Sequence, residues 1–213
     1  MKPDNNTSEN HNETEKQDVD ISQNVSGRDL FFLSLASAAV YLLLSLLIFN
    51  YFHEADISSV FGHGFSINNQ ILIGVVSGCI GAGVIGFMIS RPPVSEVLQD
   101  FYIVEAISKI KFSNFDRIQL SLFAGAGEEL LFRGAIQPLL GIWITSIIFV
   151  GLHGYFKFKS LGHILFGTMM FGLSMGLGYL FEEAGLIAAM TAHAVYDIIM
   201  LKLVQGRHPE KFT

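Results

Sequence analysis

The sequence has a single cysteine, Cys79, so no intrachain disulfide is possible and the redox compartment cannot be read from thiols. Charge is scarce as well: 15% of the 213 residues are Asp, Glu, Lys or Arg, against about 25% in an ordinary soluble domain. No basic stripe suggests a nucleic-acid partner. A Gly-Lys-Ser/Thr phosphate loop is missing, and so are paired intramembrane aspartates; the Gly-x-Ser-x-Gly run Gly172–Gly176 falls inside an apolar stretch rather than at a strand-to-helix elbow, so serine and aspartyl protease chemistry find no support. Residues 1–27 contain no Phe, Trp or Tyr and are rich in Asn, Glu, Asp, Ser and Thr. That composition predicts a disordered polar tail. Residues 1–30 carry three basic and seven acidic side chains, which is −4 of the net −6, leaving −2 for the other 183 residues.

What is present is apolar surface: 51% of residues are hydrophobic, in long runs broken by short charged punctuation. This is the pattern of an all-α, polytopic helical membrane bundle in one domain. Six spans are predicted, near 30–51, 70–90, 117–140, 142–156, 161–181 and 185–204. The fourth is short. The first lies behind a long acidic tail without a small-residue cleavage site, so it reads as a retained span rather than a signal peptide. After Arg91-Pro92-Pro93, apolar residues from Val94 to Ile110 recur at helical spacing among charges. They predict one amphipathic helix, lying on the membrane surface or packed on the bundle. The domain division is therefore a tail, 1–27, and a membrane-embedded domain, 28–213.

Lys and Arg set the orientation. Loop 91–117 has Arg91, Lys109, Lys111 and Arg117, loop 157–160 has Lys157 and Lys159, and the C-terminal end has Lys202, Arg207 and Lys211, whereas loops 51–69 and 182–184 have none. Both termini are expected to be cytoplasmic. The Asn-x-Ser/Thr triplets at Asn5, Asn6, Asn12 and Asn24 then face away from glycosylation machinery.

Ionisable groups inside such runs cost roughly 2.5–3.5 kcal/mol or more each at bilayer depth and persist mainly where they act. Glu128, Glu129 and Arg133 fall in the third span, His153 in the fourth, and His193 and Asp197 in the sixth. Counting at 1.5 Å per residue from the nearest basic loop residue puts them at depths of about 16 Å (Glu128), 6 Å (His153), 13 Å (His193) and 7 Å (Asp197). Three helices thus bring polar groups to overlapping depth, which predicts one site open toward the cytoplasm.

Glu129 and Arg133 are an i, i+4 pair that can face each other. Arg133 is expected to neutralise and orient Glu129, leaving Glu128 as the carboxylate without an in-helix partner and the better general base. Taken alone, Glu129–Arg133 is equally readable as a salt bridge that pins helices, His153 as an interfacial residue, and His193–Asp197 as a packing pair. Asp197 is placed to fix which nitrogen of His193 faces the site. Glu128, His153 and His193 also form a familiar catalytic zinc set, so a Zn2+ cofactor stays open.

Other polar residues carry less. His53-Glu54 lacks a second His at the zinc-protease spacing. His63, His163 and His208 read as solvated or interfacial, and Glu182-Glu183 as a solvated turn. Gly167, Gly172, Gly176 and Gly178 of the fifth span read as close-packing residues.

At these residues the chain resembles the CAAX-protease and bacteriocin-processing (CPBP, or Abi) intramembrane proteases, which include the type II CAAX prenyl endopeptidases. The pattern is Glu128-Glu129-Leu130-Leu131-Phe132-Arg133, then Phe149-Val150-Gly151-Leu152-His153, then His193-Ala194-Val195-Tyr196-Asp197. The run from Gly176 to Ala188 also looks like the family's approach to its last motif, and the resemblance covers about residues 117–204. It implies an endopeptidase that hydrolyses a peptide bond of a membrane-associated substrate: a prenylated CAAX-like tail, a leader or a signalling-peptide precursor. In that reading Glu128 activates water with help from His153, while His193 and Asp197 steady the oxyanion or ligate a metal. Asp197 stands where prenyl proteases usually carry Asn, an option among bacterial relatives, so a bacterial or archaeal cell membrane is the expected location. The rival readings are a non-catalytic bacteriocin-immunity or scaffold protein and a small proton-coupled transporter. Against the transporter, no inverted repeat of broken helices is visible.

Overall fold

The computed structural model describes residues 26–205. The acidic tail up to Val25, its glycosylation triplets, and Arg207, His208 and Lys211 lie outside the described residues. The first helix, α1, spans Gly27–Phe52. It starts earlier than the apolar run suggests because Ser26 and Asp29 form a capping box: Ser26 Oγ accepts from the Asp29 N–H while the Asp29 carboxylate accepts from the Ser26 N–H. The following helices are α2 (Ile67–Met88), α3 (Tyr102–Lys109), α4 (Asn114–Glu129), α5 (Gln137–Leu152), α6 (Leu161–Ala184) and α7 (Leu186–Gln205). A second capping box, Ser113 with Asp116, starts α4.

Among the described residues, five helical runs are long and apolar enough to cross a membrane. One of them, Asn114–Leu152, has 39 residues, about 58 Å if straight and twice what a bilayer core needs. It is not straight. Glu128 Oε2 lies 3.6 Å from His153 Nε2, and the Phe132 and Phe149 rings are 5.0 Å apart. The chain therefore doubles back between them, at Gly141 (φ +78°, ψ +166°), a backbone conformation open essentially to glycine alone. The result is a polytopic helical bundle of six apolar rods, with the break between the third and fourth where the sequence predicts it. The fourth rod ends at Leu152 rather than near 156, because Gly154 (φ +70°) turns the chain there.

Between α4 and α5 the helix widens. Leu130–Ile136 is a π-helical turn in which the Gln137 N–H reaches back to Phe132 O. Such wide turns occur often at functional sites, and this one begins directly after Glu129.

The helix α7 is central. Gly74 and Gly78 of α2 bring the two backbones together, since a Cβ at either would sit 2.6 Å from Ala188 O or Ala192 O. Gly125 of α4 approaches α7 in the same way, 2.8 Å from Met190 O. Small residues allow this approach, which is how helices associate where lipid offers no hydrophobic drive. The helix α1 is exposed along most of its length, with Leu33, Leu43 and Leu47 facing outward. It docks on α4 through a buried hydrogen bond from Ser34 Oγ to Gln119 Oε1, 3.0 Å, a contact type worth about 0.6–2 kcal/mol in membranes.

The amphipathic segment differs from expectation. It is not one helix: a 3₁₀ turn, Leu98–Asp100, precedes the eight-residue α3. Val94, Leu98 and Phe101 are buried in a core cluster with Val150, Phe166 and Met170. Helical spacing alone hides this, because Phe101 inserts against Phe166 and Tyr155 and turns the chain there. The segment is thus packed on the bundle as a cap at the end bearing the basic loops. His163 is a second correction. Far from solvated, it is 3% exposed, held by Ser160 Oγ at 2.8 Å and by Asp100 Oδ2 at 3.0 Å, and it ties the cap to α6.

Candidate active site

Three rods converge, one of them the hairpin return. From α4 come Glu128 and Glu129, from the π turn Arg133, from the end of α5 His153, and from α7 His193 and Asp197. All six residues singled out in the sequence lie in one cluster.

Glu129 is fully buried: Oε2 forms an ion pair with Arg133 Nε at 3.1 Å, and Oε1 accepts from His193 Nδ1 at 2.8 Å. Arg133 is equally buried. Its Nη2 donates to Ser174 O (3.1 Å) and Ser174 Oγ (3.0 Å) of α6, and its guanidinium stands 5.2 Å from the centre of the Phe149 ring. A buried charge needs such a partner set, since an unpaired one costs several kcal/mol. This core joins α4, α6 and α7.

Glu128 turns the other way, into a cavity of about 960 Å³ that also contains His153, His193, Asp197 and Tyr155. Its Oε1 accepts from Tyr41 Oη of α1 at 3.2 Å. Its Oε2 has no hydrogen bond among the described residues. It faces His153 Nε2 at 3.6 Å and His193 Nε2 at 4.0 Å. The Nδ1 of His153 donates to Phe149 O at 2.7 Å. A carbonyl can only accept, so a proton sits on Nδ1 and Nε2 faces the cavity. The imidazole is stacked between Phe149 and Tyr155.

The partner of His193 differs from the sequence expectation. Its Nδ1 is bound by Glu129, whereas Asp197 Oδ2 stands 3.6 Å from Nε2, beyond hydrogen-bond reach. Glu129 therefore orients the ring, and Asp197 shares the cavity side with it. An i, i+4 spacing reveals that two residues share a face, but not that a carboxylate on another helix lies closer.

Tyr41 and Ser174 were not visible as site residues in the sequence, since a Tyr or Ser in an apolar helix carries no pattern of its own. The glycines of α6 divide. Gly167 and Gly178 pack closely, with a Cβ meeting Tyr155 O at 2.7 Å and Gln137 Oε1 at 2.8 Å. Gly172 and Gly176 do not: a Cβ on either meets nothing within 4 Å, and both line the cavity. The expectation of close packing is corrected for these two, whose missing side chains leave the cavity open. His53 and His63 stay apart from the cluster, His53 donating to Ala135 O and His63 to Glu182 O.

Among the described residues no three His, Cys, Asp or Glu side chains are arranged to hold a metal ion. Glu128, His153 and His193 share the cavity but do not form a ligand set in this arrangement, with His193 Nε2 divided between Glu128 and Asp197.

The bundle and its buried carboxylate–imidazole cluster define a polytopic membrane protein with an intramembrane polar site. Residues 112–199, less than half of the chain, match the family described as type II CAAX prenyl endopeptidase Rce1-like. A relative, the uncharacterized protein YpbD of Bacillus subtilis (strain 168), is 36% identical over 92 residues, which is 43% of this chain and 47% of the relative. The chain thus aligns with less than half of that relative's length. No solved structure matches.

Proposed function

We propose that the protein is an intramembrane endopeptidase in which Glu128 activates the attacking water. The observation that carries this is the division of the glutamate pair: Glu129 is fully buried between Arg133 and His193, while Glu128 lines the cavity and presents Oε2 to it between two imidazoles. A water there would donate one hydrogen to Glu128 Oε2 and the other to the His153 Nε2 lone pair. As the water oxygen bonds to the scissile carbonyl carbon, its proton passes to Glu128 and the carbonyl electrons move onto oxygen. His193, in the doubly protonated form in which both nitrogens donate, steadies that oxyanion from Nε2, and Asp197 supports the charge on the ring. Collapse of the intermediate breaks the C–N bond, Glu128 returns the proton to the leaving nitrogen, and the carboxylate is regenerated. Glu128, His153, His193 and Asp197 are the proposed catalytic residues, with Glu129 and Arg133 as the frame that positions His193.

The substrate class is a membrane-associated peptide or protein. Leu44, Phe123, Leu173 and Leu177 line the cavity, which suits an apolar segment or a lipidated tail, and the family description adds a prenylated CAAX-type peptide as a candidate. The distribution of Lys and Arg supports an orientation with both termini in the cytoplasm and entry from that side.

The test is a comparison of membrane peptidomes from cells expressing the wild-type chain or Glu128→Gln at equal levels. The reading expects one or more membrane-associated peptides to be shortened with the wild type and intact with the variant. Identical peptidomes would overturn it.

A further inference from the structure

We propose that Tyr41 of α1 is a positioning residue for the water-activating carboxylate, an inference that rests on the endopeptidase reading of the same cavity. The Tyr41 hydroxyl donates to Glu128 Oε1 at 3.2 Å, and among the described residues this is the single hydrogen bond the carboxylate makes. The two imidazoles face the opposite oxygen at 3.6 and 4.0 Å, too far to hold it. A carboxyl group held by one contact has its rotation decided by that contact. Tyr41 thus holds the carboxylate plane so that its other oxygen faces His153 and His193.

The backbone is shaped to permit this. Gly127, the residue before Glu128, lies against the Tyr41 ring: a Cβ there would stand 2.9 Å from Tyr41 Cδ2 and 3.3 Å from the Cα of Ala38. Without a side chain at 127, α1 comes close enough for the hydroxyl to reach the next residue. Tyr41 lies outside the segment 112–199 that matches the protease family, so the site is completed by a helix that the match does not include.

The experiment uses full-length protein in proteoliposomes and a quenched-fluorophore peptide library carrying one S-farnesyl cysteine. Wild type, Tyr41→Phe, Gly127→Ala and Glu128→Gln are compared for kcat, KM and thermal midpoint. Tyr41→Phe keeps the ring and its packing. It is expected to lower kcat about 10- to 100-fold, the scale of an ångström-level misplacement of a reacting group, with KM and midpoint close to wild type. Gly127→Ala is expected to lower kcat in the same way by pushing the ring aside, and the double variant to be no worse than the more impaired single one. Wild-type kcat in Tyr41→Phe overturns the inference, as does a kcat loss matched by a lowered midpoint, which would mark a packing role. An active Glu128→Gln overturns the endopeptidase reading and this inference together. An inactive Glu128→Gln beside an unimpaired Tyr41→Phe overturns this inference alone.

Discussion

The two sides of α4 at its Glu-Glu pair are built differently. On one side Glu129 joins Arg133, Ser174 and His193 in a fully buried ionic core that ties α4, the π turn, α6 and α7 together. On the other side Glu128 leans into an open cavity with one hydrogen bond, from Tyr41. Neighbouring residues in a helix point about 100° apart. One therefore serves the fold's cohesion and the other stays available for chemistry. Glu129, fully buried between Arg133 and His193, is closed to the cavity, whereas Glu128 faces it.

This contrast can be broken from the structural side first. Removing the charge at Arg133 (Arg133→Leu) leaves Glu129 buried beside one imidazole and should cost about 3–5 kcal/mol of stability. The measurement is the thermal midpoint in detergent together with the folded yield, and an unshifted midpoint would deny the ionic core its role. The hairpin that brings His153 back to Glu128 is the next target. A Cβ at Gly141 meets no atom within 4 Å, but the φ of +78° is one that L residues rarely adopt. Gly141→Ala should cost about 1–3 kcal/mol, read from the same melts, and should lower cleavage by disturbing the His153 side of the site. The smallest structural effect is expected on the cavity side. Gly176→Leu adds bulk where nothing is packed, so the midpoint should stay near wild type while KM rises about 10-fold as the apolar pocket shrinks. Unchanged kinetics there would mean that substrate does not use this part of the cavity.

Much of this arrangement was readable from the chain. Charged residues in apolar runs stand out because lipid makes them expensive, so Glu128, Glu129, Arg133, His153, His193 and Asp197 could be named without a structure, and the break between the third and fourth rods fell at Gly141. What could not be read is whatever depends on contacts between helices of unrelated sequence position. Tyr41 reaches Glu128 across 87 residues and His193 finds Glu129 across 64, and neither separation leaves a periodic trace. Local pattern misled in three further places. Helical spacing from Val94 to Ile110 concealed a 3₁₀ turn and the buried Phe101, His163 at a span end proved buried, and Gly172 and Gly176 looked like packing residues but border open space. In each case the residue type was right for one role and the tertiary neighbours assigned another.

The division of labour within the glutamate pair is tested most directly by measuring cleavage and thermal midpoint side by side for Glu128→Gln and Glu129→Gln in proteoliposomes. Glu128→Gln is expected to keep the wild-type midpoint within about 1 kcal/mol and to lose at least 10²- to 10⁴-fold in cleavage, the contribution of a general base. Glu129→Gln is expected to lower the midpoint, because Arg133 loses its buried counter-charge. Wild-type cleavage by Glu128→Gln would contradict the account.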